Sequence, residues 1–256
     1  MIERYKSTLK YYWRYLIHRD VTYSDQHEKF DRGFLVPDPW GMQSERETTR
    51  FIETNRLIEQ TFGRPKRLLE IGSAEGHQSS YLADICDQLV STDVSQRALT
   101  RARRRCPSGT FLLGDVLSDG GDLVHFPIIR NQPAPPPDHP MRGYPLGGRE
   151  GVRAGADFNR TENALALDNF DLVVACEVLY YVSDVPSALK RMERLGQNCL
   201  VTFCDRESQA MLEHMRPVPL AGKDLIRHGE TSWHVMWWQS REPFTKVADC
   251  VASPGL

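Results

Sequence analysis

The sequence predicts an α/β fold, a mostly parallel sheet flanked by helices and finished by a terminal β-hairpin. Three observations predict it. First, apolar runs of strand length near 67–71, 88–93, 110–113, 170–176 and 198–204 alternate with helical patterns near 76–86, 95–105, 183–195 and 206–215. Such alternation builds a parallel sheet with helices on its faces. Second, two further runs, 224–228 and 233–239, flank Gly229-Glu-Thr-Ser232, a hairpin loop. Third, Leu68-Leu-Glu-Ile-Gly-Ser-Ala-Glu-Gly76 leads an apolar strand into an acidic residue and two glycines. About twenty residues on, Leu89-Val-Ser-Thr-Asp93 ends a second strand on a carboxylate.

This strand–turn–helix–strand unit suits an adenosine-containing cofactor. Gly72 and Gly76 lack a Cβ, so the backbone turns tightly and approaches a ligand closely. Asp93 is placed to accept hydrogen bonds from both ribose hydroxyls. The spacing departs from the dinucleotide fingerprint G-x-G-x-x-G, because Ala74 stands at the middle glycine. The pattern resembles motif I of class I S-adenosylmethionine (SAM) methyltransferases, [ED]-x-G-x-G-x-G, with Ala74 as a tolerated small residue. The resemblance implies a Rossmann-like, seven-stranded sheet. It implies SAM as cofactor and S-adenosylhomocysteine (SAH) as product. Glu70 would hold the methionine amino end, Gly72, Ser73, Ala74 and Gly76 would form the loop, and Asp93, backed by Val94, would hold the ribose. Asp115 and Val116, after the third strand, would meet the adenine amino group and a ring nitrogen.

The start of the chain is aromatic and polar. Residues 1–43 carry Tyr12, Trp13 and Trp40, and roughly 3–18 have helical character. This segment is expected to cover the active site of a methyltransferase domain spanning 44–256. Val36-Pro-Asp-Pro-Trp40-Gly41 is a turn cluster. Ser44 and Glu47 have capping-box spacing and open a helix. Phe51, Asn55, Ile58 and Phe62 give its stripe, widened by Ile52 and Leu57, and Gly63-Arg-Pro65 stops it. A Pro/Gly-rich insertion at about 118–167 breaks the alternation. It reads either as a loose surface insertion or as a lid that shapes the substrate site.

After the strand Asp171-Leu-Val-Val-Ala175 comes Cys176-Glu177-Val178-Leu179-Tyr180-Tyr181. This resembles motif IV of the same methyltransferases, beside the methionine end of SAM and at the floor of the acceptor pocket. Glu177 is the candidate base and also touches the cofactor, and Tyr180 and Tyr181 are candidates to steer the acceptor. Either tyrosine also suits a core. Asp38-Pro39-Trp40, followed by a helix with Glu45, Arg46 and Arg50, is similar to the nodulation-protein-S group. That likeness implies N-methylation of an amino sugar or chitooligosaccharide-like amine. Trp40 would then cover the cofactor or the acceptor, or else anchor the chain's entry to the fold. N- and O-methylation both remain open.

Composition narrows the partners. The 256 residues carry 32 Lys and Arg against 34 Asp and Glu, a net charge of −2, so no global field attracts nucleic acid. Arg101, Arg103, Arg104 and Arg105 read as a solvated helix face, and His77 as a solvated helix start. The six cysteines show no C-x-x-C spacing, and Cys86, Cys176, Cys199 and Cys204 read as buried small hydrophobes. No metal site, signal peptide or membrane span is expected, and the protein is expected to be cytoplasmic. Oligomeric state is not legible. Two rival readings are an NAD-dependent oxidoreductase on the same unit and a non-catalytic SAM-binding protein of the same fold.

Overall fold

In the computed structural model, residues 27–117, 124–125 and 169–241 are described. The chain divides into two units, 1–126 with 168–256, and 127–167. The second unit lies wholly outside the described residues. So do the expected helix at 3–18 and the expected insertion at 118–167, apart from Val124–His125.

Strands β1 (Arg67–Ile71), β2 (Gln88–Asp93), β3 (Thr110–Leu113), β5 (Phe170–Cys176) and β6 (Gly196–Cys204) form the parallel body. β7 (Gly222–His228) and β8 (Thr231–Gln239) make the hairpin, and β8 pairs antiparallel with β6. Beside the expected seven strands, a two-residue strand β4 (Val124–His125) adds an antiparallel edge to β3. The order is β4-β3-β2-β1-β5-β6-β8-β7. The order reverses between β1 and β5, and open α/β sheets place their ligand crevice at such a switch, outside the carboxyl ends of the strands. The hairpin loop is tighter than expected. Gly229, at φ 58, lets two residues suffice where four were expected.

The helices are α1 (His27–Gly33), α2 (Glu45–Phe62), α3 (His77–Leu82), α4 (Gln96–Arg105), α5 (Val185–Leu195) and α6 (Ser208–Met215). Ser95 caps α4 by accepting from the Ala98 amide, and Asp184 caps α5 by accepting from the Ser187 amide. The core is made by Leu68, Val174, Leu200 and Val235 from the sheet, with Leu99 and Ala102 of α4 and Ile58 of α2, all at 0% exposure. Each of these leucine, isoleucine and valine side chains contributes about 1.5–3 kcal/mol by leaving water.

Three sequence expectations change. The capping box at Ser44 does not form, because Glu47 turns inward to Arg50 and Ser44 makes no side-chain cap. Ile52 is 51% exposed instead of widening the apolar face. It lies about 100° round the helix from Phe51, and the buried face there is taken by Glu47, Arg50 and Thr54. Helix α3 stops at Leu82, short of the expected Cys86.

Gly76 precedes α3 at φ 76, and a Cβ there would lie 2.8 Å from Ala102 Cα and 2.9 Å from its Cβ. Gly76→Ala is therefore expected to lower unfolding free energy by about 1–3 kcal/mol. Urea denaturation of the variant checks this, and an unchanged midpoint contradicts it.

A candidate active site at the carboxyl ends of the strands

β1 delivers the chain into the loop that floors the site. The Gly72 and Ser73 amides both donate to the Thr92 carbonyl, at 2.8 and 3.0 Å. This folds the loop back over the end of β2. Gly72 has φ 75, and a Cβ on it would stand 2.3 Å from Val178 Cγ2. The segment after β5 thus closes directly on the loop, and only glycine permits it. Ala74 sits in the left-handed region at φ 47, strained for a residue with a Cβ. Its amide donates to Asp93 Oδ2 at 2.8 Å, while Asp93 Oδ1 accepts from the Ser95 amide at 2.8 Å. One carboxylate therefore ties the loop to the start of α4.

Glu75 is buried and heavily compensated. It accepts from Arg101 and from the Asp38 amide at 2.9 Å, and its carbonyl accepts from Arg105 Nε at 3.1 Å. Arg101 and Arg105 are thus not the purely solvated face expected, since the buried Glu75 carboxylate draws them onto the loop. Asp38, at φ 49, folds the turn cluster by accepting from the Met42 and Gln43 amides at 2.5 and 3.3 Å. Asp31 of α1 accepts from the Ser95 hydroxyl at 2.7 Å. These bonds place Phe30, Phe34 and Trp40 on the pocket wall. Trp40 packs on Phe34 at 4.8 Å between ring centroids.

His77 is 7% exposed and lines the pocket, contrary to the solvated helix start expected. Burial, then the Arg105 charge, push its imidazole pKa down to about 4, so the ring is neutral at physiological pH. Asp38, Glu75 and His77 bring ligand atoms within 4.8 Å of one another, a His/carboxylate cluster the sequence did not suggest. Glu75 already holds Arg101 there, and the charge of Arg105 acts on His77 against that of Asp38.

Glu70, at the end of β1, is 3% exposed. Its Oε2 accepts from the Ser79 and Ser91 hydroxyls at 2.5 and 2.8 Å. Burial raises its pKa to about 7, against the pull of those hydroxyls. On the far side of the loop, Val94, Asp115 and Val116 line the same pocket, and Asp115 Oδ1 accepts from the Leu117 amide at 2.9 Å. Glu70, Gly72, Ser73, Ala74, Asp93 and Trp40 line it too. Gly76 does not, because it faces α4 and serves packing.

The segment after β5 forms the opposite wall. Glu177 has φ 59, the left-handed region, which is costly for a side chain of this kind. Its amide donates to the Thr202 carbonyl at 3.0 Å. Its carboxyl receives the Thr202 and Tyr180 hydroxyls, both at 3.2 Å. Burial raises the Glu177 pKa, and the Arg50 charge counters it. Tyr180 is held far above the usual phenol value by burial and by Glu177, so it stays protonated. Its ring lies 4.5 Å from Tyr181, which meets Phe30 at 5.7 Å. Buried Cys176 has its thiol pushed up to about 12 by burial. Cys86 and Cys199 are buried as expected, while Cys204 is only half-buried.

The sequence reading missed Arg50 and Gln78 as pocket residues. Arg50 is 2% exposed and pairs with Glu47 at 2.8 Å, and its Nη1 donates to Gln78 Oε1 at 2.7 Å. Burial alone would lower its pKa, but Glu177 and Glu47 more than offset that, so it remains a cation. A usable signal was present. Glu47, Arg50, Thr54 and Asn55 are polar residues in or beside the apolar stripe of α2, where solvent does not explain them. The site thus presents carboxylates at both ends of the loop, one buried guanidinium, and an aromatic wall.

Comparison with known proteins agrees with this geometry. The methyltransferase-domain family matches residues 42–248, most of the chain. Nodulation protein S of Bradyrhizobium diazoefficiens is 25% identical over 166 residues, covering 64% of this chain and 59% of that protein. The fold is shared with the N-methyltransferase NodS of Bradyrhizobium japonicum WM9 in complex with SAH, at a TM-score of 0.57 and 18% identity over 86% of this chain and all of that one. A second structure of that protein aligns at a TM-score of 0.50 and 17% identity, over 77% of this chain and 97% of that one. The chain belongs to the methyltransferase-domain family, resembles nodulation protein S over part of that protein's length, and shares the fold of the N-methyltransferase NodS.

Proposed function

We propose that the protein transfers a methyl group from SAM to an amine of a small acceptor of the amino-sugar kind, releasing SAH. One observation carries this reading. The Glu70–loop–Asp93 frame opens into the same pocket as Glu177, Tyr180 and Tyr181. The nodulation-protein-S likeness supports nitrogen as the acceptor atom, and Phe34 and Trp40 offer flat rings for a sugar face.

The residues fit the cofactor. Asp93 suits a ribose diol, Asp115 and Val116 an adenine edge, and buried Glu70 an ammonium group. When bound, SAM supplies an electrophilic methyl on its sulfonium. The chain's own task is alignment and proton handling. Tyr180 and Tyr181 orient the acceptor beside Glu177, which takes the proton that an ammonium must lose before its lone pair can attack. The raised pKa of Glu177 brings its proton affinity closer to that of the amine. The residues 27–43 cover the reacting centre and exclude water, with Trp40 as part of that cover.

Incubation with SAM and glucosamine oligomers, with SAH formation followed, tests the reading. Turnover above the acceptor-free rate is expected. SAH binding without turnover on any amine acceptor would indicate a non-catalytic binder. Glu177→Gln is expected to lower the rate by about 10²-fold or more. An unchanged rate removes Glu177 as the base.

Glu70 gives a pH signature. Its folded-state pKa of about 7 lies above the ordinary 4.5, so its contribution to stability falls as pH rises from 4.5 through 7. A bound ammonium favours the ionised form, so ligand binding expels a proton in this window. SAH affinity is expected to rise with pH up to about 7, by as much as about tenfold per unit, and to flatten in Glu70→Gln. Calorimetry from pH 5.5 to 8 reads this, and a wild-type affinity independent of pH contradicts it.

A further inference from the structure

Thr202 sits in β6 between two strands, opposite Cys176 of β5 and Val235 of β8. It is buried and does not line the pocket. Its neighbours Val201 and Val235 are buried and apolar. A valine would fill the same space without a polar atom, so a desolvated hydroxyl there costs stability unless it is bonded. Glu177 supplies the bond. The Thr202 hydroxyl donates to Glu177 Oε1 at 3.2 Å, and the Thr202 carbonyl accepts from the Glu177 amide at 3.0 Å. One buried residue thus holds both the backbone and the side-chain end of a glutamate at φ 59. Tyr180, which lines the pocket, donates to the other oxygen, Oε2, at 3.2 Å.

A glutamate side chain is long and rotates freely, whereas a base works from a fixed position. The hydroxyls of Thr202 and Tyr180, one on each oxygen, remove that freedom. A carboxylate accepts about four hydrogen bonds, so sites remain for an acceptor ammonium. Hydroxyl donors also favour the ionised carboxyl, against the burial that disfavours it. Arg50 of α2 acts on Glu177 in the same sense as the hydroxyls, Glu47 of α2 in the opposite sense, and the thiols of Cys176 and Cys204 stand beside it. Resting on Glu177 as the base proposed above, we infer that Thr202 is its positioning residue, setting the carboxylate from within the sheet while Tyr180 meets it from the pocket. Thr202 lies outside the pocket lining and acts through Glu177.

Two variants test this. Thr202→Val keeps the shape and removes the hydroxyl, while Thr202→Ser keeps the hydroxyl. Both are expected to bind SAH by calorimetry, which reports an intact fold. NMR of isotopically labelled glutamate carboxyls then follows the titration of Glu177, whose resonance is the one lost in Glu177→Gln. In Thr202→Val, Glu177 is expected to titrate at higher pH than in wild type, because its ionised form has lost a donor. In Thr202→Ser it is expected to titrate close to wild type. This readout needs no acceptor, so it holds whichever amine is methylated. With SAM and glucosamine oligomers, Thr202→Val is expected to lose about tenfold or more in kcat. The fall in its rate on the acid side is expected to move to higher pH, and Thr202→Ser to recover most of the rate. A Glu177 titration unmoved in Thr202→Val, or an equal loss of kcat in both variants, overturns the positioning role while leaving Glu177 as the base. Full turnover in Glu177→Gln removes the base, and the positioning role with it.

Discussion

The Asp93 carboxylate holds the site in shape. Oδ2 takes the Ala74 amide and Oδ1 the Ser95 amide, so one side chain joins the loop after β1 to the start of α4. Ala74 is strained at φ 47, and a carboxylate acceptor is the kind of strong bond that can retain a strained amide. The Gly72 and Ser73 amides on the Thr92 carbonyl add the loop's bend, and the missing Cβ of Gly72 admits Val178. Sheet topology then decides where the frame points, because β1 and β5 flank the reversal in strand order.

The pocket concentrates what a stable fold avoids. Among the described residues, three of the four non-glycine residues at positive φ, Asp38, Ala74 and Glu177, belong to the site or its rim. Glu47, Arg50, Glu70, Glu75, His77 and Gln78 are buried around it. Desolvating such groups costs free energy that only partners return. Some partners lie within the fold, as Arg101 does for Glu75. Others do not, as at Gln78 Nε2. A ligand with an ammonium, a carboxylate, a ribose and a flat base would supply complements to these groups together.

Much of this was legible in the sequence because it depends on local rules. Strand bounds at 67–71, 88–93, 110–113 and 170–176 follow from short apolar runs between turn residues, and the structure reproduces them. The loop glycines and Asp93 were visible because spacing alone encodes a strand–turn–helix–strand unit. What spacing does not encode is which polar side chain tertiary packing turns inward. Glu47 looked like a capping residue and instead pairs with Arg50. Arg101 looked solvated and instead meets Glu75 across the gap from α4 to the loop. The close packing of Gly76 on Ala102 was likewise not visible in the spacing. The short strand β4 has too few residues to show any periodicity at all.

The most direct test of the account is calorimetric titration of SAH into the purified protein and into Asp93→Ala, with a melting curve to show that the variant is folded. Micromolar binding to the wild type, weakened about tenfold or more in the variant, is the result the Asp93 frame predicts. No binding to the wild type, or the same affinity in both proteins, would contradict it.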